Sequence, residues 1–306
     1  MKVLVTGGAG FKGCVVVETL LAEGHDVTVF DIFRYGEAAA ICLIRAGARV
    51  VRGDVTRVDQ LSSEVPRHDA VVHLAALVGF PACDSEPVRA DDTNIGGTRN
   101  VISCLRSDQL LVYASTGSVY GRVQGLCTED TPTAPLTRYG CTKLSGERLA
   151  VAFGGVGLRF ATVFGVSPCM RFDLMPNAFV YRAIHIGWMT LYQPNDRRSF
   201  VHVNDAASSY GFALQNYDRM AGHVFNVGDA SLNLTKQEVA DAVCEQFPMR
   251  VINADVETDP DQRNYDVSFA KINRLGFRAA TAFDASLAAV GAAARVATSE
   301  RWRFTA

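Results

Sequence analysis

The chain has 306 residues, a formal net charge of −2 and a pI near 6.3, so it can bury one large core or two modest ones and carries no basic excess suited to nucleic acid or acidic membranes. No apolar run reaches a membrane span, and the N-terminus starts on a strand without a charged leader or signal core, which predicts a cytoplasmic protein. Eight scattered cysteines form no C-x-x-C pair and no Cys/His cluster has zinc spacing, so reduced thiols and no metal are expected.

Val3–Val5 reads as a buried strand, followed by glycines at 7, 10 and 13 and a helical pattern over Phe11–Leu21. Strand, glycine turn and helix in that order make the G-x-x-G-x-x-G match meaningful as a dinucleotide site. Gly7 permits the tight turn, Gly10 the approach of a pyrophosphate, and Gly13 close packing of helix on strand. The helix N-terminus offers N–H groups to the phosphates. The second strand, Val27–Phe30, ends in Asp31, where an acidic residue meets a ribose 2′-hydroxyl, and NAD is the expected cofactor.

A helix-like segment, Gly36–Ala46, leads to strand Arg49–Arg52 and Gly53-Asp54. A helix over Thr56–Glu64 follows, with Thr56 as a plausible N-cap. Strand Asp69–Leu74, a helix from Pro87 to Leu105, strand Leu110–Ala114, helix Tyr139–Phe153 and strand Val156–Thr162 continue the alternation. That rhythm predicts an α/β fold: a Rossmann-type doubly wound parallel sheet. Past Gly165 it loosens. Ser167-Pro168 and Met175-Pro176 interrupt it, Phe200–Val203 and His223–Val227 are strand-like, and Leu234–Phe247 and Ala280–Ala297 are helical. We read 1–165 as the dinucleotide-binding part, with 199–229 returning to it, and 166–306 mainly as a smaller C-terminal substrate-binding lobe.

Tyr139 and Lys143 stand four residues apart on one helical face. A cation beside a phenol favours the phenolate, which makes tyrosine a usable acid/base. Ser115 and Thr116 follow the strand that ends at Ala114, where a hydroxyl faces the dinucleotide crevice.

These pieces together resemble the extended short-chain dehydrogenase/reductase family, in its nucleotide-sugar epimerase/dehydratase branch. The resemblance rests on T-G-x-x-G-x-x-G at Thr6–Gly13, Asp31, Asp54, H-L-A-A at His73–Ala76 and Asn94-x-x-Gly97-Thr98. It continues through S-T-x-x-V-Y-G at Ser115–Gly121, Y-x-x-x-K at Tyr139–Lys143 and R-x-F-V-H-V-x-D at Arg198–Asp205. It implies that Thr116 hydrogen-bonds the sugar oxygen being oxidised, that Tyr139 takes its proton, and that Lys143 holds the nicotinamide ribose and depresses the pKa of Tyr139. It places Gly7, Gly10, Phe11, Lys12, Gly13, Asp31, Asp54, Val55, Leu74, Ala75, Ala76 and Asn94 at the cofactor. Arg198 becomes a ligand of the substrate diphosphate, suited to a planar fork, with a surface charge as the bland alternative. Arg263 is a candidate second ligand, and Asn177 lies in the substrate lobe with Arg171, Tyr181 and Tyr192. His202 is expected to be a core histidine.

Departures from the pattern sharpen the reading. Dehydratases resembling this family carry Asp-Glu after the catalytic threonine, whereas Gly117 and Ser118 stand here and supply no carboxyl group. A related decarboxylase also has a glutamate where Ser118 stands. An NAD-dependent nucleotide-sugar epimerase is therefore expected, with a keto-sugar reductase or sugar dehydrogenase using exchangeable cofactor as the alternative and a non-catalytic NAD sensor as a third reading. Ala161-Thr162 replaces the usual Phe-Asn, which argues against the commonest galactose-epimerase pocket. Lys12 replaces an apolar residue, often isoleucine, and either stays solvated or reaches a phosphate. The family suggests a homodimer through the helices around Thr93–Leu105 and Tyr139, with Val101, Leu105, Leu144 and Leu149 facing either the partner or their own sheet.

Overall fold

The computed structural model describes residues 1–254 and 263–297; stretches 255–262 and 298–306, both within the expected C-terminal lobe, lie outside the described residues. Seven strands form the central sheet: β1 (Lys2–Thr6), β2 (Asp26–Asp31), β3 (Arg49–Arg52), β4 (Ala70–His73), β5 (Leu110–Thr116), β6 (Val156–Phe160) and β7 (Val224–Val227). Their spatial order is β7-β6-β5-β4-β1-β2-β3, and every neighbouring pair is parallel. The chain winds outward from β1 to β3, then returns to β4 and winds the other way. A crevice opens at that reversal, above the carboxyl ends of β1 and β4.

Valine and leucine dominate these strands because helices cover both faces. Val3, Val5, Val27, Val29, Val72 and Val112 pack with helix α1 (Phe11–Ala22) on one side. Leu4, Val71, Leu111 and Tyr113 pack on the other with Leu61 of α3 (Val58–Glu64), which follows α2 (Ala38–Arg45), and with Val101 of α4 (Gly97–Cys104). Val101 and Leu144 are both nearly inaccessible, so they serve the protein's own core and are withdrawn as dimer candidates. All eight cysteines are free thiols.

Three expectations about elements change. Thr56 does not cap α3; Arg57 precedes the helix, and the Thr56 N–H instead donates to Asp54 Oδ1 in a tight turn. The helix from Pro87 is interrupted by a π turn over Asp92–Gly96 before α4 resumes it. Met175-Pro176 opens a helix rather than breaking one: α6 (Met175–His185) follows α5 (Arg138–Ala152), and proline is tolerated in a first turn whose N–H groups have no partner anyway.

Helix α7 (Val203–Gln215) packs along α1, and β7 follows it onto the sheet edge. Strand Arg197–His202 pairs in parallel with Thr162–Phe164 and antiparallel with Asn233–Thr235, extending the wall above β6. Helix α8 (Lys236–Gln246) starts in a reciprocal cap between Thr235 and Glu238, and α9 (Phe283–Val296) packs on α6.

Candidate active site

A cleft of about 1180 Å³ runs over the carboxyl ends of β1 to β6, large enough for a dinucleotide and a second ligand. Its floor at one end is the glycine turn. Gly7 has φ +72°, and a Cβ there would lie 2.6 Å from the backbone nitrogen of Ala75. A Cβ on Gly13 would stand 2.2 Å from the Gly7 carbonyl oxygen, so α1 approaches the turn only because that residue has no side chain. No side chain caps α1 and no acidic residue occupies its first turn, which leaves its leading N–H groups available to an anion.

Asp31 ends β2 and is fixed by two backbone donors, Ala9 N–H at 3.0 Å and Phe33 N–H at 2.7 Å. Burial raises its pKa, and these hydrogen bonds oppose the rise. Arg34, beside it, is engaged with the Glu86 carboxylate, and Arg52 with Glu37 and the Ile32 carbonyl. Both guanidiniums near Asp31 thus already have partners, which with the carboxylate disfavours a 2′-phosphate and favours NAD over NADP. Asp54, Val55, Leu74, Ala75 and Ala76 line the same cleft. The donors, the bare glycine turn and the carboxylate together fit an NAD molecule.

At the other end stand Thr116, Tyr139 and Lys143. β5 runs two residues further than expected, carrying Ser115 and Thr116 to its tip, where the Thr116 hydroxyl accepts from the Ser118 N–H at 3.2 Å and is hydrogen-bonded to the Tyr139 phenol. Tyr139 lies one residue into α5, which Thr137 caps. Burial raises the Tyr139 pKa, and the Thr116 hydrogen bond, Arg171 and Arg263 oppose the rise. The Lys143 ammonium belongs to a side chain that is itself buried. Burial lowers its pKa to about 7, against the pull of Glu147 one turn on. Below them Glu147 receives Arg159 through two hydrogen bonds of 2.6 and 2.9 Å and Ser115 at 2.5 Å, all buried.

The predicted residues divide cleanly. Gly7, Gly10, Phe11, Lys12, Gly13, Asp31, Asp54, Val55, Leu74, Ala75, Ala76, Thr116, Tyr139, Lys143, Arg198 and Arg263 all line the cleft. Arg198 is 3 % exposed, so the surface-charge alternative falls. Asn94 and Asn177 stand outside this lining, each engaged with neighbouring loops. Asn94 accepts from Leu77 N–H and donates to the Leu77 carbonyl and Thr142, so its amide clamps the loop after β4. Asn177 holds both backbone groups of Gly165 and the Arg171 carbonyl. Tyr181 and Tyr192 are also absent from the lining, whereas Arg171 belongs to it, paired with Asp173. His202 caps α7 from a buried position, as a core residue.

Lys12 overturns the solvated alternative. Its ammonium lies over the Phe160 ring, 3.5 Å from the centroid, in the cleft wall. Sequence reasoning missed the loop residues Phe33, Tyr35 and Val78 and the helix-opening Phe80, which line the cleft without any motif.

Fold and cleft define a Rossmann-type enzyme that binds a dinucleotide beside a Thr–Tyr–Lys trio. The pattern of the NAD dependent epimerase/dehydratase family matches residues 3–228, and the chain belongs to that family. It is 31 % identical over 283 residues to a UDP-glucose 4-epimerase of Corynebacterium glutamicum, covering 84 % of this chain and 83 % of that one. It is 29 % identical over 263 residues to a dTDP-glucose 4,6-dehydratase of Streptomyces niveus, covering 79 % and 76 %. The crystal structure of the Thermus thermophilus UDP-glucose 4-epimerase in complex with NAD superposes with a TM-score of 0.85 at 27 % identity, covering 97 % of this chain and all of that one. The protein is thus an NAD-dependent enzyme of the epimerase/dehydratase type.

Proposed function

We propose that the protein is an NAD-dependent nucleotide-sugar epimerase. The observation that carries this is the hydrogen-bonded Thr116–Tyr139 pair beside Lys143, with Gly117 and Ser118 where elimination or decarboxylation needs carboxyl groups. Bound NAD would supply reversible hydride transfer at the sugar carbon. Tyr139 accepts the hydroxyl proton of that carbon and gives it back. Thr116 orients both oxygens, and Lys143 supplies a cation beside the phenol below pH about 7 and a donor above it. Arg198 and Arg263 bind the diphosphate of the substrate, and Arg171 with them keeps that end of the cleft positive.

Residues 1–165 with 199–229 form the cofactor half in this reading, and 166–306 the substrate half. The protein works in the cytoplasm as a homodimer; α4 and α5 lie side by side and present partly exposed Ile102 and Leu149, and light scattering tests the assembly. Among the described residues no helix is long and apolar enough to cross a membrane.

Purified protein incubated with a panel of nucleotide sugars and no added cofactor should invert one of them. Strict dependence on added NADH or NADPH would replace the epimerase with the keto-sugar reductase reading.

A further inference from the structure

Lys12 is the feature of the cleft that the proposed chemistry does not use. It stands at the second position of α1, is partly exposed and lines the cleft. Its side-chain nitrogen lies 3.5 Å from the centroid of Phe160 and 5.3 Å from that of Tyr210, two rings that stack on each other. Among the described residues no hydrogen bond and no carboxylate engages that nitrogen. A lysine so placed gives up its proton readily. Burial, and then the nearby Lys143, lower its pKa well below the ordinary lysine value, and the ring faces offer only weak compensation. Desolvation beside a second cationic side chain is the arrangement that makes lysine a nucleophile, because the neutral amine has a lone pair to share.

The surroundings define what such an amine would meet. The leading N–H groups of α1 carry no side-chain cap, and no acidic residue occupies its first turn. A phosphate seated there lies in the same helical turn as Lys12. The cleft, at about 1180 Å³, leaves ample room for a small molecule that reaches from that seat to the amine. We propose that Lys12 is a covalent site for phosphorylated aldehydes, open to them when the cleft holds no cofactor. The phosphate takes the place of the cofactor's pyrophosphate, and the amine attacks the carbonyl carbon. The nitrogen lone pair forms the C–N bond while the carbonyl π pair moves to oxygen. Both nitrogen protons pass through solvent to that oxygen, which leaves as water, and the nitrogen pair closes the C=N bond. The product is an imine, reversible by hydrolysis, that competes with the dinucleotide. This rests on the dinucleotide reading of the cleft and does not require the epimerase assignment.

The test uses the unaltered protein, stripped of cofactor, with pyridoxal 5′-phosphate as the probe. After reduction with borohydride, mass spectrometry of the digest should place the adduct on Lys12 at least tenfold above every other lysine, Lys143 included. NAD added before the aldehyde should suppress that labelling at least tenfold, and pyridoxal without its phosphate should label Lys12 at least tenfold less. Adducts centred on Lys143, or spread evenly over surface lysines, overturn the proposal. Equal labelling by pyridoxal and its phosphate, or labelling that NAD does not suppress although calorimetry shows NAD to bind, overturns the shared phosphate seat and the proposal with it. Failure of NAD to bind in calorimetry overturns the dinucleotide reading instead. In Lys12→Arg, which keeps a long side chain but cannot form the imine, the Lys12 adduct should vanish while NAD binding persists.

Discussion

The residues of the cleft are held by very unequal forces. Tyr139 is poised by one hydroxyl and two guanidiniums against burial. Tyr139→Phe removes the proton acceptor without disturbing packing, so kcat should fall by roughly 10²–10⁴ while NAD affinity measured by calorimetry changes little. Lys143 illustrates a charge the fold tolerates poorly. Its pKa of about 7 in the folded protein lies below the roughly 10.4 of an unfolded chain, so between those values only the unfolded chain binds the proton. Stability therefore rises with pH across that window, and below pH about 7 the penalty is complete and constant. Lys143→Met should accordingly be more stable than the unaltered protein at pH 6, with the two melting curves converging above pH 10.4, the usual lysine value. Among the described residues Lys12 has no counter-ion to lose, and Lys12→Ile should raise stability by about 1–3 kcal/mol, read as a melting temperature several degrees higher.

At the scale of elements, strands and helices follow from local pattern, and their irregularities follow from contacts. The continuous apolar periodicity from Pro87 to Leu105 gives no sign of the π turn at Asp92–Gly96. That turn widens the helix so that Asn94 reaches Leu77 and Thr142, contacts 17 and 48 residues away in sequence. Asn94→Ala leaves the buried Leu77 backbone groups without partners, so it should cost about 1–3 kcal/mol in urea unfolding and weaken NAD binding through the loop that carries Leu74–Ala76. The extra two residues of β5 have a similar origin. Their pairing with β6 through Ser115↔Arg159 and Thr116↔Phe160 carries them into the sheet despite their turn-like character. By contrast the Thr235–Glu238 cap is fully local, a Thr-x-x-Glu start signal within four consecutive residues.

For the molecule as a whole, one buried ion pair ties the sheet to the catalytic helix. Glu147 of α5 and Arg159 of β6 are 3 % and 6 % exposed, and Arg159 continues through Tyr120 to Asn226 on β7. Removing one partner strands a charge, so Arg159→Met or Glu147→Gln should each cost about 3–5 kcal/mol in denaturant unfolding, and the double variant less than the sum.

The amino-acid pattern by itself determined a parallel sheet with six strands along the chain, the glycine turn and Asp31, while the roles of Thr116, Tyr139 and Lys143 came from the family resemblance. The sheet and the turn are specified by neighbours within a few residues: apolar runs of strand length, and glycines where a Cβ would clash. Only the tertiary structure decided what Asn94, Asn177 and Lys12 do. The two amides looked free to meet a ligand, yet Asn94 is engaged by Leu77 and Thr142 and Asn177 by the backbone of Gly165 and Arg171. Lys12 had a surface-like charge, yet Phe160 and Tyr210, about 150 and 200 residues away in the chain, close over it. A side chain's direction depends on which distant element arrives beside it, and local spacing does not encode that arrival.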